Sequence, residues 1–296
     1  MIPNKLWNDE ILYQSEELVD TYKKELISLD MLEYAKSFKG DKEGAIGGEY
    51  EEETNKHFSE RFLTSSARMQ FLVLDPKKYF LQISKDLHST FIGGNISILD
   101  IPCGTGAGIL SLLFNIKELR DSSKLPRLPL NINIFAGDYS ESALKIYCRI
   151  LTTAQTELSK ELIYINFNTH VWDASDIKST TTLMKKWLKD EDKYEEFYIL
   201  MSAFSGVGSD NFKTFIKVFD FIQNFVSDLH CTTVLIEPNT NKAETFLGKF
   251  EKLAEKWIKW IAGKKETTNG ERFKWKDSIT NNIAKSGVLV NQYSRI

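Results

Sequence analysis

The chain of 296 residues is 42% hydrophobic and 27% charged, with a formal net charge of -3, enough to bury one large core or a domain with a cap. That balance does not mark a nucleic-acid binder, and no apolar run reaches the length of a membrane span. Three scattered cysteines (Cys103, Cys148, Cys231) and four histidines (His57, His88, His170, His230) show neither a disulfide framework nor metal-ligand spacing. Met1 to Asp20 is too acidic for a signal peptide, so a metal-free cytoplasmic protein with no membrane partner is expected.

The chain opens with helical periodicity. Ile11, Leu12, Leu18, Tyr22, Leu26, Ile27 and Leu29 suit one long helix or two short ones over Glu10 to Leu32. A charged segment with four glycines between Gly40 and Gly48 reads as a lid or a connector. A second helix is predicted over Tyr50 to Leu63. Met69 to Val73 then leads through Asp75-Pro76 into another near Lys78 to His88. Residues 1–90 are therefore read as an N-terminal helical cap, and residues 91–296 as the main domain.

Ile96 to Gly108 reads ISILDIPCGTGAG, the most informative stretch of the chain. An alternating apolar run (Ile96, Ile98, Ile101) passes Asp100 and meets a glycine turn at Gly104, Gly106 and Gly108. Ile109, Leu110, Leu112, Leu113 and Ile116 then recur at helical spacing, giving a strand, a tight turn and a helix. Glycine frees the backbone there to take positive φ and to approach a ligand. A carboxylate at the strand end would repel a pyrophosphate but hold an ammonium group, so the ligand expected at Asp100 carries a positive amino group. A nicotinamide dinucleotide fits less well: the glycines run G-x-G-x-G, and Asp138 lies 30 residues beyond Gly108, against ~20 in that fingerprint.

Lys117 to Pro129 reads as a surface excursion. Strands are expected at Leu162 to Phe167 and Glu196 to Ala203, and helices at Thr182 to Leu188 and Asn211 to Phe225. The basic stretch Lys242 to Lys276 carries Phe246, Phe250, Leu253, Trp257 and Trp260 on one helical face, which suits packing on a sheet better than stacking on RNA. Phe273 to Trp275 and Val288 to Tyr293 suit two closing strands.

LDIPCGTGAG resembles the first motif of class I S-adenosylmethionine-dependent methyltransferases, and similar segments follow in that family's order. NIFAGDYSESALKIY is similar to its second strand and helix, VWDASDI to its third motif, EFYILMSAFSGVG to its fourth strand and loop, and CTTVLIEPN to its fifth strand. The resemblance begins near Ile96. It implies an α/β, Rossmann-like sheet of seven strands, mostly parallel, with a short antiparallel last strand held between neighbours. It implies S-adenosyl-L-methionine as cofactor, bound by Asp100, Pro102, Cys103, Gly104, Thr105, Gly106, Asp138, Tyr139, Asp173, Ala174 and Ser202. In it Asp138 would grip the ribose hydroxyls, Asp173 the adenine amino group, and the Ala174 backbone a ring nitrogen. N-terminal helices close over the cofactor in many members, which makes Tyr50, His57, Arg61 and Arg68 candidate substrate contacts, with Phe204 in the cleft loop.

The implied chemistry is direct methyl transfer to an O or N nucleophile, with His57, His170 and Glu237 as candidate bases. SAFSGVG is not the N/D-P-P-Y/F loop of base-amino methylation, and no Pro-Cys follows the fourth strand. A small molecule or a protein side chain is therefore favoured over a nucleic acid as acceptor. The alternatives are a non-catalytic S-adenosylmethionine-binding or scaffold protein of the same fold, and an RNA-directed methyltransferase.

Overall fold

A computed structural model describes residues 2–38, 48, 50–258, 263–267 and 270–295, so the segment expected to be a lid lies outside them, Gly48 excepted. Five strands form the parallel centre of one sheet: β3 (Gly94–Asp100), β4 (Leu130–Asp138), β5 (Ile163–Val171), β6 (Glu196–Ser202) and β7 (Cys231–Pro238). Apolar runs in β3, β6 and β7 suit strands buried on both faces, whereas β4 and β5 alternate buried with exposed or half-buried residues. They lie in the order β5-β4-β3-β6-β7, so the winding reverses between β3 and β6, where a doubly wound sheet opens a crevice at its C-terminal edge.

The sheet has ten strands, not seven. The expected closing pair is β9 (Glu271–Lys276) and β10 (Ile283–Arg295), with β10 antiparallel between β7 and β9. At 13 residues β10 is long rather than short. That length lets it pair with β8 (Gly263–Thr267) beyond the end of β9. The remaining extra strands, β1 (Trp7–Asn8) and β2 (Ile11–Tyr13), correct the helix expected from Glu10. Asp9 and Glu10 take φ of 50° and 61°, the left-handed pair of a two-residue hairpin, and β2 then adds parallel to β9. The N-terminal region is thus part hairpin and not purely helical.

Helices cover both faces. On one lie α1 (Glu16–Ser28), α3 (Glu51–Leu74), α4 (Leu81–Thr90), α5 (Ala107–Asp121) and α6 (Glu141–Ser159); α2 (Leu32–Ser37) joins α1 to the segment before α3. On the other lie α7 (Ile177–Trp187), α8 (Ser205–Phe225) and α9 (Asn241–Ile258). Strand alternation divides the core: Ile96 and Ile98 of β3 join the first cluster, Leu99 and the following Ile101 the second. Among the described residues no helix is long and apolar enough to cross a membrane.

Two further expectations change. The second helix and Met69 to Val73 fuse into the 24-residue α3, which meets α5 at small, buried Ser66: Ser66 Oγ donates to Ala107 O and its carbonyl accepts Ser111 Oγ at 2.7 Å. The stretch from Lys117 is helix to Asp121, and Lys117, Glu118 and Arg120 are buried. Lys117 pairs with Glu17 at 2.8 Å, and Arg120 donates to Glu161 O and Ile92 O, so charge does not keep the segment at the surface. On α9, Phe246, Phe250 and Leu253 pack in the second cluster as the core reading expected, while Trp260 and the Trp257 side chain lie outside what is described.

The Lys117–Glu17 pair ties α1 to α5. Burial pushes the Glu17 carboxyl up, but hydrogen bonds from Lys117, its own backbone and Ser15 outweigh that and hold it down to about 2. A depressed folded-state value stabilises above the unfolded value and is lost as the pH falls through the folded one. Lys117→Met should therefore cost about 2 kcal/mol near neutral pH, below the fully buried range because Glu17 keeps some water contact. In thermal melts the gap from wild type should narrow below pH about 4.5 and close towards 2.

Candidate functional site

The glycine turn sits at the reversal point and is fastened to the tip of β4. Cys103 N donates to Gly137 O at 2.9 Å, and Gly104 N donates to Asp138 Oδ2 at 2.8 Å. Gly104 has φ 51°, and a Cβ built on it meets nothing within 4 Å, so bare backbone faces open space there. Gly106 is different: its Cβ would lie 2.9 Å from the Tyr147 ring, so that glycine serves the packing of α5 on α6. Gly108 lies against Ser202 at the tip of β6, bringing the start of α5 next to the cleft loop. Thr105 and Cys103 are buried, with burial pushing the Cys103 thiol well up, while Pro102 is half-buried.

Three carboxylates stand at or just past successive strand tips. Asp138 ends β4; its Oδ1 accepts from Ser140 N while Oδ2 holds the turn, so each oxygen has acceptor capacity left. Burial pushes it up, against those amide bonds. Asp173 follows β5 and folds onto its own turn, accepting from the Ser175 amide and hydroxyl; half-buried Ala174 is its neighbour. Asp100 departs from expectation. It is only 2% exposed rather than open to the cleft, and Oδ2 accepts the Tyr147 hydroxyl at 3.0 Å. Burial pushes it up to about 8, the Tyr147 bond opposing and nearby Asp138 adding to the rise, so at neutral pH it carries a proton. Tyr147 lies on the buried face of α6, and its residue type does not announce this contact.

Helix α3 runs across this end of the sheet. Thr54 Oγ1 lies 3.2 Å from Ser140 Oγ, the N-cap of α6, and Arg68 Nε donates to Gly287 O on β10 at the other end. Thr54, His57, Arg61, Ser65 and Arg68 step by three or four and so share one face. A buried guanidinium nitrogen of Arg61 has no partner among the described residues. His57 is half-buried, and burial, with Arg61 nearby, holds its imidazole below the usual range and hence neutral. Tyr50, at the start of α3, is exposed, as is Tyr139 beside Asp138.

Three candidates fall elsewhere. Glu237 is fully buried and clamps the start of α8, Oε1 accepting from Phe204 N at 2.8 Å and Oε2 from Ser205 N at 3.1 Å, which leaves it poorly placed as a base. Burial pushes it up to about 7, although those bonds and Arg68 favour its anion. Phe204 is buried against Phe215, Phe219 and Phe246 instead of lining the cleft. His170 lies against Phe135, with Nδ1 3.4 Å from Lys186 Nζ, and burial and that lysine lower its value; among the described residues no carboxylate orients it. Among the described residues no cluster of three or more His, Cys, Asp or Glu could hold a metal ion.

No protein-family model and no curated protein matches this sequence. Solved structures resemble it at low identity. One described as an RNA methyltransferase from Pyrococcus horikoshii is 10% identical, covering 90% of this chain and 98% of its own, with a TM-score of 0.37. One described as an S-adenosyl-L-methionine-dependent methyltransferase from Methanococcus maripaludis is 12% identical, covering 86% and 96%, with a TM-score of 0.35. Trm5b from Pyrococcus abyssi is 13% identical, covering 72% and 49%, with a TM-score of 0.32. All three scores are below 0.5, too low to carry an argument about this chain.

Glu237→Gln keeps the shape but turns an amide NH2 towards backbone donors. It should lower stability by about 1–3 kcal/mol in urea unfolding, through one unsatisfied buried amide. An unchanged midpoint would show that the clamp on α8 contributes nothing.

Proposed function

We propose that this chain is an S-adenosyl-L-methionine-dependent methyltransferase that passes a methyl group directly to an O or N nucleophile. The observation that carries this reading is a bare Gly104 backbone facing open space at the reversal point of the sheet, with Asp100, Asp138 and Asp173 at the neighbouring strand ends. Such a set of acceptors suits a cationic nucleoside and disfavours a pyrophosphate.

In this reading Asp100 takes the α-ammonium, Asp138 the ribose hydroxyls through its spare acceptor capacity, and Asp173 with the Ala174 backbone the adenine edge. Pro102, Cys103, Thr105, Gly106, Tyr139 and Ser202 complete the walls. The cofactor supplies an electrophilic sulfonium methyl. The protein's part is then chiefly alignment of the acceptor, worth several kcal/mol and up to about 7–11 in the best intramolecular geometries. Of the three candidate bases His57 fits best, since burial keeps it neutral and it shares the α3 face with Arg61 and Arg68. An amine acceptor would arrive unprotonated and not need it, whereas a hydroxyl would.

Two measurements test the reading. Calorimetry should detect S-adenosylmethionine binding to the wild type, and Gly104→Ala, which adds a methyl to the open side of the turn, should weaken it at least ~10-fold, or about 1.4 kcal/mol. No binding at millimolar ligand would sink the assignment. The second is a proton count. Asp100 is protonated in the free protein below about 8, so seating an ammonium there must expel that proton. At pH about 6.5 binding should release about one proton, seen as a buffer-dependent enthalpy, and Asp100→Asn should abolish the release. Equal heats in two buffers for the wild type would contradict an ammonium at Asp100.

A further inference from the structure

A groove of about 480 Å³ opens beside the α3 face, and its walls are basic in a chain of net charge -3. Lys77, Arg272, Lys274 and Lys285 line it, against a single carboxylate, Glu10. They come from three segments: the connection between α3 and α4, strand β9 and strand β10. None of the four side chains forms an ion pair or hydrogen bond with the described residues. Lys274 and Lys285 are also direct cross-strand partners, an arrangement of like charges that costs stability unless an anion lies between them. Arg272 and Lys274, two apart on β9, point to the same face, so the charges follow a strand edge and do not converge on one point.

The spacing narrows the anion. Cations set along a strand edge match the way a groove tracks the phosphates of a single strand. A lone phosphoryl group would call for converging arginines, and the groove has one. The inner wall leads towards the candidate site. Gly287 O accepts both Arg68 Nε and Asn239 N at 3.2 Å, and Asn239 follows the tip of β7.

We propose that this groove binds a single-stranded nucleic acid, its phosphates on Lys77, Arg272, Lys274 and Lys285. Resting on the methyl-transfer reading, that strand carries the acceptor atom, which revises the small-molecule or protein acceptor favoured by the sequence.

Fluorescence anisotropy with a labelled, mixed-sequence strand of ~15 nucleotides, as RNA and as DNA, tests this on the full chain. Binding of at least one of the two is expected, with log K falling against log salt at a slope of about -0.7 per phosphate neutralised, near -3 for the four cations. The double variant R272E/K274E should weaken binding at least ~10-fold and flatten that slope. K124E/R127E, in a separate recess beside the end of α5, should bind as the wild type does. Absence of binding, an equal loss in K124E/R127E, or tighter binding to the matching duplex or to phosphatidylserine vesicles would overturn the proposal. Calorimetry with S-adenosylmethionine on wild type and R272E/K274E separates the two readings. A strand that binds while the cofactor does not supports the groove and removes the methyl transfer; the converse overturns the groove alone.

Discussion

Two acceptors at the tip of β4 shape the candidate site. The Gly137 carbonyl and the Asp138 carboxylate hold the amides of Cys103 and Gly104, and so fix the path of the chain between β3 and α5. Gly137 is closely packed, since a Cβ there would lie 3.0 Å from the side chains of both Ile101 and Leu183 and would make them shift. The same tip continues into Ser140, whose hydroxyl caps α6 and touches Thr54 of α3. One short segment therefore sets the turn, the start of one helix and the seat of another. Asp138 has a double task in this account, holding the turn when free and reaching the ribose when the cofactor is bound.

Electrostatics makes the site conditional. Asp100 in packed surroundings beside Tyr147 is a neutral acid at neutral pH, so it adds little field until a cation draws off its proton. Desolvation that would be wasteful for a permanent charge becomes useful where the charge forms only with its partner. Further along the same edge the groove carries lysines and an arginine that have no ion pair or hydrogen bond among the described residues. A cationic nucleoside at the acids and an anionic chain at the bases would be sorted by opposite signs within one edge of the sheet.

The parallel centre was legible because burial on both faces writes itself as apolar runs in β3, β6 and β7, alternation marks β4 and β5, and glycines with strand-end acids mark the turn. The last strand's place between β7 and β10's other neighbour β9 also followed from the resemblance. The hairpin at Asp9-Glu10 was not legible, because neither residue is the glycine or asparagine that usually announces positive φ. Lys117 to Arg120 misled for a related reason: charge suggests surface, but partners on α1 and at backbone carbonyls supply what water would. At the site, strand position identified Asp100, Asp138 and Asp173, yet not their contacts. Tyr147 and Thr54 sit on helical stripes whose residue types do not distinguish a core neighbour from a site neighbour. Lys77, Arg272, Lys274 and Lys285 are spread over more than two hundred positions, so only folding gathers them.

The central claim is that a sulfonium nucleoside lies across the tips of β3, β4 and β5. A crystal structure of the protein grown with S-adenosylmethionine reads this directly. The ribose hydroxyls should lie on Asp138, the adenine beside Asp173, and the α-ammonium within hydrogen-bond reach of Asp100. A ligand bound elsewhere, with the Gly104 turn bare and Asp100 still closed on Tyr147, would contradict it.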